Sequence, residues 1–182
     1  NIMPLALCTF DGAINRKSQC VDTSRDSLLA IKLGGTPLTM ERQIRECSAI
    51  CHDAEAKSLD VVSGTSEPEL WRKLSDFGWT ENTTPSIACR ISIQPSSIAT
   101  LVDDLVMKYG HQLALITDPG YGTVLAFWFL EPTDCLDEKA SSSIANLVNT
   151  VSDNNGSVVI ERCPADIKPQ LDVWGDIGAS QP

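Results

Sequence analysis

Within SIACRISIQPSSIATLVDDLVMKYG, Ser86 to Gly110, the spacing of apolar residues changes from every second residue to every third or fourth. That switch of period is the strongest constraint on what the chain can fold into. In ACRISI, Ala88, Arg90 and Ser92 fall on one side of a strand, and Cys89, Ile91 and Ile93 fall on the other. Pro95 ends the strand, and Ser96 or Ser97 is placed to cap a helix. Ile98, Leu101, Leu105 and Val106 form its inner face, and Gly110 ends it after Tyr109. A strand followed this closely by an amphipathic helix calls for a layered α and β core.

The rest of the chain extends this pattern. QLALITD and TVLAFWFLE read as strands joined by Pro119-Gly120-Tyr121-Gly122, a turn by composition. Cys135 to Asn154 reads as a helix, and Asn155-Gly156 turns the chain into SVVIERC. From Ser86 to Cys163 the order is therefore β-α-β-β-α-β, the ferredoxin-like arrangement. Upstream, PLALCTFDG and SLLAIKLGG read as strands flanking a polar connection. Thr36 and Pro37 open a helix with Met40, Ile44, Cys47 and Cys51 on one face, LDVVSG reads as a third strand, and PELWRKLSDFG as a helix closed by Gly78. The expected fold is α+β: a ferredoxin-like second half (81–182) and a related, incomplete first half (1–80). They would form a single domain with one largely antiparallel sheet of about seven strands, helices on one face and the other face open.

Composition excludes several functions. Lys and Arg number 14 against 24 Asp and Glu, a net charge of −10, which opposes binding to a phosphate backbone. GYGTVLAF resembles the RNA-binding strand of an RRM only superficially, because Pro119 stands where a basic residue is needed and Thr123 and Ala126 where aromatics are needed. The longest apolar run, TVLAFWFL, is strand-sized and far short of the ~20 residues that span a bilayer, so no transmembrane segment is expected. Seven scattered cysteines suit reduced thiols in the cytoplasm. Cys47 and Cys51 share a helix face without a third ligand, so buried thiols are favoured over a metal site, and no metal is expected. Gly34-Gly35-Thr36-Pro37 fits neither phosphate-loop spacing.

Two basic residues stand inside strand-like runs, Arg90 in ACRISI and Arg162 in VIERC. A charge within a sheet must be paired or solvated. Either residue reads as a salt bridge on the open face or as a clamp on a small carboxylate, which guanidinium binds through two hydrogen bonds. Trp71, Arg72 and Trp174 read as core anchors or as contacts to another domain.

SVVIERCPADIKPQLDVWGD resembles the late part of the C-terminal domain of FAD-linked oxidases, nearest to the glycolate oxidase E-type subunit and its bacterial relatives. PLALCTFDG with SLLAIKLGG, ELWRKLSDF, and CRISIQPSSIATLVDDL resemble further segments of that family in the same order, so the resemblance covers nearly the whole chain. It implies a cap domain over a flavin held by a separate N-terminal FAD-binding domain that this sequence does not contain, with both ends of the chain cut from a longer protein. The chain by itself would then bind no FAD and be inactive. The histidine-rich stretch of the D-type subunit and of D-lactate dehydrogenases has no counterpart in ITDPGYGTVLAFW.

The resemblance implies hydride transfer from a small 2-hydroxy acid to the flavin. Arg90 and Arg162 would bind substrate, and Trp71, Arg72, Tyr121, Lys168 and Trp174 would lie near the domain contact or face the flavin. Expected partners are the chain's own FAD-binding domain, other glycolate oxidase-type subunits and the 2-hydroxy acid. The expected location is cytoplasmic, with peripheral attachment to the inner membrane through partner subunits as a variant. Two rivals rest on topology alone: a non-catalytic assembly module using the open sheet, and a small-molecule-binding regulatory domain of ferredoxin-like fold.

Overall fold

The computed structural model describes residues 2, 4–11, 14, 27–129, 136–171 and 173. Among them are six strands, β1 (Ala6–Asp11), β2 (Ser27–Lys32), β3 (Ile87–Ser92), β4 (Leu113–Asp118), β5 (Thr123–Trp128) and β6 (Ser157–Arg162). Four α-helices accompany them: α1 (Pro37–Asp53), α2 (Ser66–Ser75), α3 (Ile98–Tyr109) and α4 (Leu136–Asp153). The strands form one antiparallel sheet in the order β2-β1-β4-β5-β3-β6. In the second half the elements run β3-α3-β4-β5-α4-β6, and β3 lies between β5 and β6.

The local signals act largely as their chemistry dictates. Thr36 accepts from the Thr39 N–H, and Pro37 occupies the first turn of α1. Gly110, at φ +52°, ends α3. Asp118 Oδ1 accepts from the N–H groups of Gly120 and Tyr121 in the β4–β5 turn. Gly122, at φ +69°, is fixed there because a side chain would run into the Ile93 carbonyl. Ser97 takes the N-cap position of α3 but makes no side-chain capping bond, since a 3-10 turn over Pro95–Ser97 leads into the helix. Val106 faces solvent, and the buried stripe of α3 is Ile98, Leu101 and Leu105 with Val102 and Tyr109 beside it. The stripe stays in phase with Ile98 through a spacing of three and four, which Val106 overshoots.

Two expectations about the sheet are corrected. It has six strands among the described residues rather than about seven, because Leu59–Gly64 pairs with nothing. Leu59, Val61 and Val62 are exposed, and so short an apolar run becomes a strand only where a neighbouring edge accepts it. Nor do the helices keep to one face. Ile87, Cys89, Ile91, Leu113, Leu115, Val124, Ala126 and Trp128 pack with α3 and α4, whereas Ala88, Ala114, Ile116 and Phe127 pack with Cys8, Phe10 and, from α2 and its end, Leu74 and Phe77. Phe77 meets Phe127 edge to face at 5.2 Å. The central strands are buried on both sides, the condition under which a strand loses clean alternation. LALIT in β4 already reads that way.

The open face therefore shrinks to the far side of β3 and β6, beyond the reach of α2. The two halves of the chain are tied at β1 and β4, where Asp11 Oδ2 accepts from the Leu115 N–H at 2.9 Å and its Oδ1 from the Ile14 N–H.

Candidate functional site

The remaining open face is built around an irregularity in β6. Cys89 pairs with Ile160, but Ala88 pairs with Arg162, so Glu161 is an extra residue in the ladder. In a regular strand Arg162 would share a face with Ile160 and point into the α3/α4 core. The bulge turns it to the side of Ala88, and Glu161 beside it reaches Arg90, Nε to Oε1 at 2.7 Å. Arg90 thus points away from α3 and α4, as its alternation with Cys89 and Ile91 requires, and its guanidinium is engaged by a carboxylate on the same sheet.

Trp79 comes to this face from α2. Gly78 adopts φ +86°, and a Cβ there would lie 2.5 Å from Phe127 Cε1, so only glycine fits without displacing the ring. The Gly78 N–H donates to buried Thr83 Oγ1 at 3.0 Å, and the Trp79 N–H donates to the Asp76 carbonyl at 3.0 Å. The turn held in this way swings the half-exposed Trp79 indole over β6, where the Arg162 guanidinium carbon lies 5.7 Å from the ring centre.

A third element closes the site. After β6 the chain turns back, and the Ile160 N–H donates to the Val173 carbonyl at 2.9 Å along the outer edge of the strand. Ile167 is buried in the main core and anchors the 3-10 turn Lys168–Gln170, which carries Lys168 at the surface. Trp79, Val159, Glu161, Arg162, Lys168 and Val173, together with Ile160 and Cys163, then line an open concavity of about 650 Å³. Among the described residues neither Arg162 nor Lys168 forms an ion pair, while Glu161 is held by Arg90.

Thiol chemistry here is subdued. Burial pushes the Cys163 thiol above its ordinary range, with Lys168 pulling the other way. Burial, then Cys163 and Glu161, push Cys89 up to about 12. Cys47, Cys51, Cys89 and Cys163 are free thiols. Cys47 and Cys51 are half-buried rather than buried, and among the described residues no cluster of three His, Cys, Asp or Glu could hold a metal. No helix of the described residues is long and apolar enough to cross a membrane.

The structure gathers Arg162 and Lys168 at one concavity, with Arg90 adjacent through Glu161. Trp71 and Arg72 lie elsewhere, on α2. Trp71 packs at the second core beneath Lys32, and Arg72 is exposed, 3.5 Å from Asp76. Tyr121 is exposed at the hairpin tip, at the end of the sheet where Ser92 meets Thr123, opposite the end where Ala88 meets Arg162. Trp174 lies outside the described residues. Sequence reasoning missed Trp79 and Glu161. The DFGWT turn offered a signal for Trp79, an aromatic directly after a helix-ending glycine; no signal for a bulge exists in IERC. Compared with known proteins, the chain matches no family model and no curated protein.

Proposed function

We propose that the chain is the cap domain of an FAD-dependent 2-hydroxy-acid oxidoreductase of glycolate oxidase type, with the β3/β6 face turned toward the flavin and substrate. The observation that carries this reading is the pair of cations, Arg162 and Lys168, without a described carboxylate partner at a concavity on an otherwise acidic chain. A carboxylate is the natural complement of such a pair. The ordered sequence likeness supplies the redox half of the reading, and the ferredoxin-like ordering of β3 to β6 is compatible with it. In this reading FAD, bound by a separate N-terminal domain, accepts the hydride. The chain's own residues hold the acid: Arg162 and Lys168 bind its carboxylate, and Arg90 keeps Glu161 from neutralising them. The location proposed is cytoplasmic, at the inner membrane only through partner subunits.

The test is the full-length gene product. A flavin-binding domain encoded upstream, and anaerobic bleaching of its flavin by at least one 2-hydroxy acid of a set running from glycolate to 3-phenyllactate that falls about tenfold or more in Arg162→Gln, are expected. An upstream sequence without such a domain, or bleaching untouched by the substitution, overturns the proposal. A second reading, a subunit-assembly module, is favoured by exposed apolar residues on the first half, among them Leu29 on the free edge strand β2 and Leu38 and Ile50 on α1.

A further inference from the structure

We infer that the concavity beside β6 takes an organic acid with an aromatic or bulky apolar body, not a two-carbon acid; as a statement about 2-hydroxy acids it rests on the function proposed above. The first reason is size. A two-carbon hydroxy acid fills only a few water volumes, each about 30 Å³. The concavity measures about 650 Å³, within the range of sites that hold much larger ligands.

The second reason is the arrangement of its walls. Among the described residues its charge is confined to Arg162, Lys168 and the Glu161 that Arg90 engages, and the rest of the lining includes Trp79, Val159 and Val173. The Arg162 guanidinium carbon lies 5.7 Å from the Trp79 ring centre, and no described carboxylate pairs with its N–H groups, which leaves them to a ligand carboxylate beside the ring. Trp79 is half exposed at 51 %, which leaves part of its indole open to a ligand. A ligand with a carboxylate at the Arg162 and Lys168 end and a ring against the indole satisfies both features.

The experiment titrates this chain by calorimetry with four probes: glycolate, 3-phenyllactate, 3-phenylpropanoate and the neutral 2-phenylethanol. The expected result is that both phenyl acids bind at least about tenfold more tightly than glycolate and than the neutral probe, and that Arg162→Gln and Lys168→Gln each weaken them about tenfold. Trp79→Ala should weaken the phenyl acids about fivefold or more and leave glycolate unchanged. Circular dichroism and thermal melting confirm that each variant is folded, and the three variants sit on separate elements, so loss of one to misfolding leaves two. Phenyl acids that fail to saturate, that bind no more tightly than glycolate, or that bind as well to Trp79→Ala overturn the inference. Equal binding of 2-phenylethanol overturns its charged half. Flavin bleaching in the full-length protein answers separately: phenyl acids that bind here, with no bleaching by either 3-phenyllactate or glycolate, sink the oxidoreductase reading alone. Bleaching by glycolate without phenyl-acid binding sinks this inference alone.

Discussion

The second half of the chain and the first are built to different densities. From Ile87 to Ile167, buried residues of β3, β4, β5, β6, α3 and α4 form one contiguous core. In the first half α1 runs seventeen residues, and the only one of them fully buried is Gln43, whose Nε2 donates to the Gly34 carbonyl. Every residue from His52 to Ser66 is exposed. Among the described residues the first half reaches a core through β1, Ile14, α2 and the turn after α2, with Leu28 and Ala30 of β2 packed against it, and that core borrows Ala88, Ala114, Ile116 and Phe127 from the second half. Stability should therefore reside in the second half, with the first half opening at lower free energy. The candidate site lies on the side of the second half, yet it takes Trp79 from the first.

The contrast can be broken most directly by matched truncations. Leu147→Ala, on the buried face of α4, should cost about 3 kcal/mol. Ile44→Ala, on the half-buried face of α1, should cost under about 1 kcal/mol. Urea unfolding of the two variants decides it; equal losses would mean that α1 is packed as tightly as α4. The next largest effect is at the seam. Gly78→Ala places a side chain at φ +86° and against Phe127, and should cost about 2 kcal/mol or more. Because Trp79 follows directly, its fluorescence should shift as well, and a melting temperature equal to that of the parent would refute the close approach.

A third effect is set by pH. Cys89 is a thiol whose folded pKa lies near 12 against 9.0 for an ordinary one, so the folded state holds the proton where the unfolded state releases it. Its contribution is complete below pH 9 and is lost as pH rises toward 12, at roughly 1 kcal/mol per pH unit. Stability of the parent should thus fall more steeply between pH 9 and 11 than that of Cys89→Ala, read as the slope of urea midpoints. Parallel slopes would place the ionising group elsewhere. The smallest effect is expected at Arg90→Ala. An ion pair whose arginine side chain is 48 % exposed contributes between about 0 and 1 kcal/mol, so the melting temperature should scarcely move. A large drop would make Arg90 and Glu161 a structural element of the second half.

Where one element's own spacing decided the outcome, the sequence was a sufficient guide. The alternation in ACRISI put Arg90 opposite Cys89 and Ile91, Thr36 and Pro37 started α1, and Gly110 ended α3, because each depends on backbone geometry within a few residues. The sequence also carried the β-α-β-β-α-β order of the second half. Tertiary structure alone decided what depends on distant partners. LDVV remained unpaired because no sheet edge met it, and α2 crossed to the far face because β4 and β5 are apolar on both sides. The single extra residue at Glu161 turned Arg162 out of the core and toward Trp79, which lies 83 positions earlier in the chain. A bulge is a mismatch between two strands, so neither strand's sequence encodes it by itself, and the candidate site exists only where that mismatch, the turn at Gly78 and the returning segment at Lys168 meet.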